Sequence, residues 1–143
     1  MGTERDSAVD TCRVHHAEIR RLLDDVGPVE PVSEASITPL LKRLENLVLH
    51  HLELEEHVLY PALEETAVPI LQRKAARYRT HMLPIGERFI EMCRMWSKPG
   101  AISADPSGFV DDWQVASGTL RMRMESEDED LYALAEAWVK RDK

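Results

Sequence analysis

Four separate stretches of the chain carry apolar residues at the spacing of an α-helix, and this pattern limits the possible folds more than any other feature of the sequence. The stretches predict helices at roughly 6–26, 38–65, 69–96 and 106–141. Strand-like alternation is absent from the sequence. Because each apolar stripe must be buried against the others across modest connections, the chain is predicted to form one all-α domain over residues 1–143, an antiparallel up-and-down four-helix bundle.

Three prolines mark expected features of these helices. Pro39 follows Thr38 and Pro106 follows Asp105, and each pair predicts a capping side chain followed by proline at the first helical position. Pro84 lies inside the third stretch, where a proline removes a backbone donor. We therefore expect a kink or a local break there.

The charge balance argues against two classes of partner. Among 143 residues, 26 are acidic and 18 are basic, which gives a formal net charge of -8, and the basic residues do not form a block. A protein of this charge repels phosphate backbones and anionic lipid surfaces. We expect neither a nucleic-acid partner nor a membrane partner.

The expected compartment is the cytoplasm. Residues 1–10 lack the apolar core of a signal peptide, and no run of about 18 apolar residues predicts a membrane span. The two cysteines, Cys12 and Cys93, are too few for a disulfide framework. These features favour a reducing setting.

Polar residues interrupt the apolar stripes. They are His16 on the first, His51 and Glu55 on the second, His81 beside the third, and Glu127 with Asp128 on the fourth. A buried ionised carboxylate costs on the order of several kcal/mol unless a partner compensates it. Since two helices each offer a carboxylate to the same core, the pattern predicts a cation between them, either a metal ion or a buried arginine.

Each of these residues also has a purely structural interpretation. A single histidine on an apolar face is usually a hydrogen-bonded core residue, and Glu55 could pack its stem while its carboxylate reaches water. The acidic run 125–130 could be a solvated face. His15, interpreted as a surface or boundary residue, could replace His16 in the core, because it also lies on a usable apolar stripe. The coincidence of such residues on all four stripes favours a shared site.

The second helix carries the most informative spacing. His51 and Glu55 are four residues apart, so they project from one helical face, one turn apart. An imidazole and a carboxylate in this arrangement form half of a site for iron, manganese or zinc, whereas soft metals prefer thiolates. Tyr60 is interpreted as a core residue or a neighbour of this site.

Three segments together resemble the hemerythrin/HHE cation-binding family, and the resemblance spans nearly the whole chain. The segment from His51 to Pro61, His-Leu-Glu-Leu-Glu-Glu-His-Val-Leu-Tyr-Pro, is similar to that family's second-helix signature. The first helix offers a similar His-x-x-Ile motif at His16, and the run that starts at Glu127, Glu-Asp-Glu-Asp-Leu-Tyr, resembles the closing acidic motif. The resemblance implies a hemerythrin-like bundle in which five histidines and two bridging carboxylates hold two irons.

The resemblance also assigns roles by position. It implies that His16 and His51 ligate one iron and that Glu55 and Asp128 bridge the two, with Glu127 as a further candidate ligand. His81 matches the later histidine of the family's third helix.

The chain departs from the family pattern at two positions where further histidines are expected. Arg77 and Arg123 stand there, and arginine cannot serve as a ligand because it does not deprotonate. Both losses fall on the same metal, so one ion is expected rather than two. Alternatively, the two guanidinium groups could neutralise the core carboxylates without any metal.

The resulting functional hypothesis is a metal-binding module, with iron as the expected ion, that senses or handles oxygen, nitric oxide or redox state through a small diatomic ligand. The alternative is a metal-free helical interaction or signalling module, in which Arg77 and Arg123 replace the metal. A protein partner or a homodimer fits either hypothesis. The sequence shows no glycine-rich phosphate loop, no paired Cys-x-x-Cys motif and no Gly-x-Ser-x-Gly motif, so we expect a binding module rather than an enzyme.

Overall fold

The computed structural model describes residues 2–27 and 32–141, and it describes side chains for residues 8–27 and 32–137. Within these ranges all regular structure is helical. The elements are α1 (Gly2–Val26), α2 (Glu34–Leu54), the π-helix π1 (Glu55–Leu59), α3 (Tyr60–Glu64), α4 (Pro69–Trp96), α5 (Ala101–Ala104), α6 (Pro106–Ser126), the π-helix π2 (Glu127–Tyr132) and α7 (Ala133–Arg141).

These elements form four long helices, because α2, π1 and α3 run on without interruption, as do α6, π2 and α7. The four pack around two apolar clusters. The first cluster holds side chains from the C-terminal half of α1, from the α2 part of the second long helix, mainly from the C-terminal half of α4, and from α5 and the α6 part of the fourth long helix. The second holds side chains from the N-terminal half of α1, π1 with α3, the N-terminal half of α4, and π2 with α7. Successive helices therefore reach each cluster with opposite ends, which confirms the predicted all-α, antiparallel bundle.

Local capping residues set two of the helix starts. Asp105 caps α6 as predicted, since its side chain accepts a hydrogen bond from the Gly108 amide at 3.0 Å. The predicted cap at Thr38 is wrong. The second long helix starts four residues earlier at Glu34, with Ser33 as its cap.

The third helix also differs from the expectation. α4 continues through Pro84 as one helix, so the predicted local break at this residue is wrong. Pro84 lies at an exposed position, where water can replace the hydrogen bond that proline removes from the helix.

A polar layer separates the two apolar clusters. On α1, buried His16 lies between Cys12 of the second cluster and Ile19 of the first. On the fourth long helix, buried Glu127 lies between Met124 of the first cluster and Leu131 of the second. The bundle thus places several ionisable groups at one level of its interior.

Candidate metal centre

Four ionisable side chains from three of the long helices form the centre of the polar layer. His16, His51, Glu55 and Glu127 are each at most 1% exposed. The Nε2 atoms of His16 and His51 lie 3.0 Å apart. His51 Nε2 lies 3.0 Å from Glu55 Oε1, and His16 Nε2 lies 3.4 Å from Glu127 Oε1. Two ring nitrogens and two carboxylate oxygens therefore converge on one small volume.

Both carboxylates lie at the first residue of a π-helix. Glu55 begins π1 and Glu127 begins π2, and in each case a tyrosine follows five residues later, Tyr60 and Tyr132. In an α-helix, residues five apart point in different directions, because each residue turns the chain by about 100°. The wider turn of a π-helix pairs residue i with residue i+5, and such turns are frequent at functional sites. The π-helices thus bring each glutamate and its tyrosine to the same buried face.

The two tyrosine hydroxyls connect the carboxylates. Tyr60 Oη lies 3.1 Å from Glu55 Oε2 and 3.0 Å from Glu127 Oε2, and Tyr132 Oη lies 3.1 Å from Glu55 Oε2. A phenol carries one proton, so Tyr60 can donate to only one of the two carboxylates at a time. The hydroxyls therefore hold the carboxylates together without neutralising them.

The pKa values of the two glutamates shift in opposite directions. Burial alone would raise the pKa of Glu55, but the adjacent His51 ring lowers it below its usual range. Burial, followed by the negative charge of Glu55, raises the pKa of Glu127 well above its usual range. Two carboxylates in one buried volume cannot both ionise without a compensating charge. In the absence of a cation, the pair must retain a proton.

Two carboxylate oxygens lack hydrogen-bond partners, Glu55 Oε1 and Glu127 Oε1. Each faces the Nε2 atom of a buried histidine. Ligand atoms of His16, His51 and Glu127 all lie within 4.8 Å of one another. Nitrogen and oxygen donors of these types suit a borderline or hard divalent metal. The residues at this site therefore fit a metal ion.

Asp128 and Arg20 fix the orientation of His16. Asp128 Oδ1 lies 2.8 Å from His16 Nδ1, and Asp128 Oδ2 accepts a hydrogen bond from Arg20 Nη2 at 2.5 Å. Burial alone would raise the pKa of Asp128, but the hydrogen bonds from His16 and Arg20 lower it, so the group is a carboxylate that can only accept. His16 Nδ1 therefore carries the proton, and its Nε2 lone pair faces the interior. Such a carboxylate partner is typical of metal-binding histidines.

The comparison with protein families agrees with this geometry. The family model for the hemerythrin HHE cation binding domain matches residues 7–135. The chain belongs to this family. Neither the curated proteins nor the solved structures that were searched contain a match. None of the helices in the described part of the chain is long and apolar enough to cross a membrane.

Not all of the site residues predicted from the sequence of this HHE domain lie in the buried layer. His16, His51, Glu55 and Glu127 come together in the buried layer. Asp128 lies beside this layer, bound to His16 and Arg20, so a bridge from Asp128 to Glu55 does not fit the structure. Glu127 occupies the buried position instead. Metal ligation by these residues stays a prediction.

His81 is exposed and lies outside the site, which corrects its expected role as a ligand. The buried face of α4 carries Ala75, Tyr78 and Met82. His81 is the residue before Met82, so it points about 100° away from Met82 around the helix axis.

The two arginines that could have replaced the metal also lie apart from the carboxylates. Arg77 is exposed, because the neighbouring Tyr78 takes the inward position, so its predicted role is wrong. Arg123 is half-buried, with its guanidinium carbon 4.7 Å from the centre of the Tyr78 ring. Among the side chains that the structure describes, no ion pair joins Arg123 to Glu55 or Glu127. Its charge nevertheless opposes the rise in the pKa of Glu127.

Sequence reasoning missed Tyr132. Tyr132 is fully buried, and its ring stacks on that of His16 with 5.3 Å between centroids. A signal for it was present, because Glu-x-x-x-Leu-Tyr occurs twice, at residues 55–60 and 127–132. This repeat pairs Glu127, not Asp128, with Glu55.

Proposed function

We propose that the chain binds one transition-metal ion, with iron as the first candidate, in the buried layer between the two apolar clusters. The observation that carries this proposal is the pair of unpartnered buried oxygens, Glu55 Oε1 and Glu127 Oε1, that face the ring nitrogens of His51 and His16. Leaving such oxygens buried without a partner is costly, and a cation removes that cost. Membership of a cation-binding family supports the same conclusion.

The proposed ligands are His16 and His51 through their Nε2 atoms, together with Glu127 and Glu55. The hydroxyls of Tyr60 and Tyr132 hold the carboxylates in place through hydrogen bonds to their Oε2 atoms. Manganese and zinc accept the same donors. The preference for iron rests on the resemblance of the three sequence segments to hemerythrins.

A single ion fits the centre better than two. The third long helix contributes Tyr78 and Met82 to the interior, and its histidine, His81, is exposed. Within the described residues, one group of three clustered ligands is present, and it involves His16, His51 and Glu127. A second ion would lack protein ligands from α4.

The proposed role is binding of a small diatomic molecule, such as oxygen or nitric oxide, or a response to redox state. A metal with few protein ligands supplies an open coordination position and a change of oxidation state. The chain's own contribution is to exclude bulk water, to fix the two imidazoles and to hold the carboxylates. We place the protein in a reducing, cytoplasmic setting, which is supported by its two buried, free cysteines.

The test is the metal content of protein purified without oxygen. We expect about one iron per chain in the parent and none in the double variant His51→Ala, Glu127→Ala. The matched controls are His81→Ala and Glu125→Gln, since both residues are exposed on helices that reach the site. Native protein that contains no transition metal would contradict the proposal and favour a metal-free interaction module.

A further inference from the structure

A second histidine contacts the metal-binding candidate His51 from outside the centre. His15 Nδ1 lies 3.2 Å from His51 Nδ1, and the two rings meet edge to face, with centroids 5.3 Å apart and planes inclined at 72°. We propose that His15 is a positioning residue that selects the tautomer of His51 and thereby makes its Nε2 atom available to the metal. The inference deepens the proposed function and rests on it for the metal-bound state.

The contact between the two Nδ1 atoms needs one proton. At 3.2 Å the contact is a hydrogen bond only if one of the two nitrogens carries a proton and the other offers a lone pair. If His51 donates, its Nε2 is unprotonated and can bind a metal. If His15 donates, neutral His51 carries its proton on Nε2, where it can donate to His16 Nε2 at 3.0 Å and cannot bind a metal.

His15 can adopt both roles because it is a histidine. A neutral imidazole donates from Nδ1 in one tautomer and accepts there in the other. In the metal-bound protein His15 accepts from His51. In the metal-free protein the reverse arrangement lets His51 Nε2 donate to the lone pair of His16 Nε2.

The partner of His16 does not have this freedom. Asp128 contacts His16 Nδ1 through Oδ1 and accepts a hydrogen bond from Arg20 through Oδ2, so it holds His16 in the form with a proton on Nδ1 and a free Nε2. The two metal-binding candidates therefore differ. His16 is fixed by a carboxylate, and His51 is adjustable through His15.

Two variants at residue 15 separate the hydrogen bond from packing. Asparagine places its amide atoms where histidine has Nδ1, because both groups are bonded to Cγ, and its amide can accept or donate. Leucine places a methyl group there and offers neither. The control is His50→Leu, which changes an exposed histidine next to His51 in the chain.

Zinc is the probe, since it accepts the same donors and is diamagnetic. We expect His15→Leu to weaken zinc binding about 10- to 100-fold in chelator competition, the usual effect of losing an outer partner of a metal-bound histidine. His15→Asn should recover most of this loss, and His50→Leu should bind like the parent. NMR of the ring nitrogens should show a protected Nδ1–H on His51 in the zinc-bound parent and not in His15→Leu.

The outcomes separate the two proposals. If the parent binds zinc and His15→Leu binds it equally well, the role of His15 is refuted and the metal site survives. If asparagine weakens binding as much as leucine, His15 acts through packing, and the inference is again refuted. If the parent binds no transition metal, the proposed function fails. In that case a protected proton between the two Nδ1 atoms of the metal-free parent would support the tautomer pairing, and its absence would refute it.

Discussion

Replacement of Glu127 by glutamine should stabilise the metal-free protein while it weakens metal binding. Glu55 and Glu127 are both fully buried, and the single hydroxyl proton of Tyr60 lies between them. Burial and then the charge of Glu55 raise the pKa of Glu127 well above its ordinary value of 4.5. The folded, metal-free chain therefore keeps the carboxyl proton of Glu127 to a higher pH than the unfolded chain does.

The magnitude follows from the linkage between proton binding and folding. A group whose pKa is raised by folding makes the folded state less stable as the pH rises from the unfolded pKa to the folded pKa. The loss is about 1.4 kcal/mol per pH unit. Because pH 7 lies about 2.5 units above the ordinary pKa of a glutamate, the loss there is at most about 3.5 kcal/mol. Glutamine needs no proton and avoids the loss.

Urea unfolding of chelator-treated proteins between about pH 4.5 and pH 7 measures the effect. We expect Glu127→Gln to raise the free energy of unfolding by about 1–3 kcal/mol at pH 7, and this gain should vanish near pH 4.5. Glu125→Gln, an exposed change on the same helix, should show neither effect. If Glu127→Gln is no more stable than the parent at pH 7, protein groups already compensate the buried charge, and the argument for a cation is refuted.

Three further changes test the hydrogen bonds and the packing around the site. Tyr60→Phe should lower the free energy of unfolding of the metal-free protein by about 1.5–3 kcal/mol, because a buried charged acceptor loses its donor. Tyr78→Phe, whose hydroxyl lies nearer the surface, should lower it by less. Equal losses in the two variants would contradict the role of the Tyr60 hydroxyl. Phe109→Ala should cost about 3–5 kcal/mol in urea unfolding, since the ring is buried in the first apolar cluster, whereas the exposed Val115→Ala should cost less than about 0.5 kcal/mol. Asp105→Ala should cost about 0.5–2 kcal/mol through loss of the α6 cap, and an unchanged thermal midpoint would count against that cap.

Most of the fold could be predicted from sequence because helical periodicity is a local property. Side chains from all four predicted helices fill the two clusters. The errors lie at helix starts and at proline. Thr38 and Ser33 are both capping residues, and choosing between them requires knowing how far the helix packs against its neighbours. The continuation of α4 through Pro84 depends on the exposure of that residue, which local sequence does not determine.

The site was predicted well where the helix is regular and poorly where a one-residue shift matters. His16, His51 and Glu55 follow α-helical spacing up to the start of π1, and they lie in the core. On α4 the periodicity allowed either His81 or Met82 to face inward, and packing selects the methionine. The choice between the adjacent residues Glu127 and Asp128 was ambiguous in the same way. The π-helix π2 begins at Glu127 and changes the direction in which each later side chain points.

The repeated motif explains why both π-helices occur at the site. In each, a glutamate and the tyrosine five residues later must face the same interior, which an α-helix does not allow. The pairing is also crossed, since the Tyr60 hydroxyl contacts Glu127 as well as Glu55, and the Tyr132 hydroxyl contacts Glu55. Each tyrosine thus depends on the geometry of the opposite helix. A change that converts either π-helix into α-helix would separate its glutamate from its tyrosine and disturb both carboxylates together. The two π-helices therefore act as one structural unit, and the buried negative charge of the bundle depends on both of them.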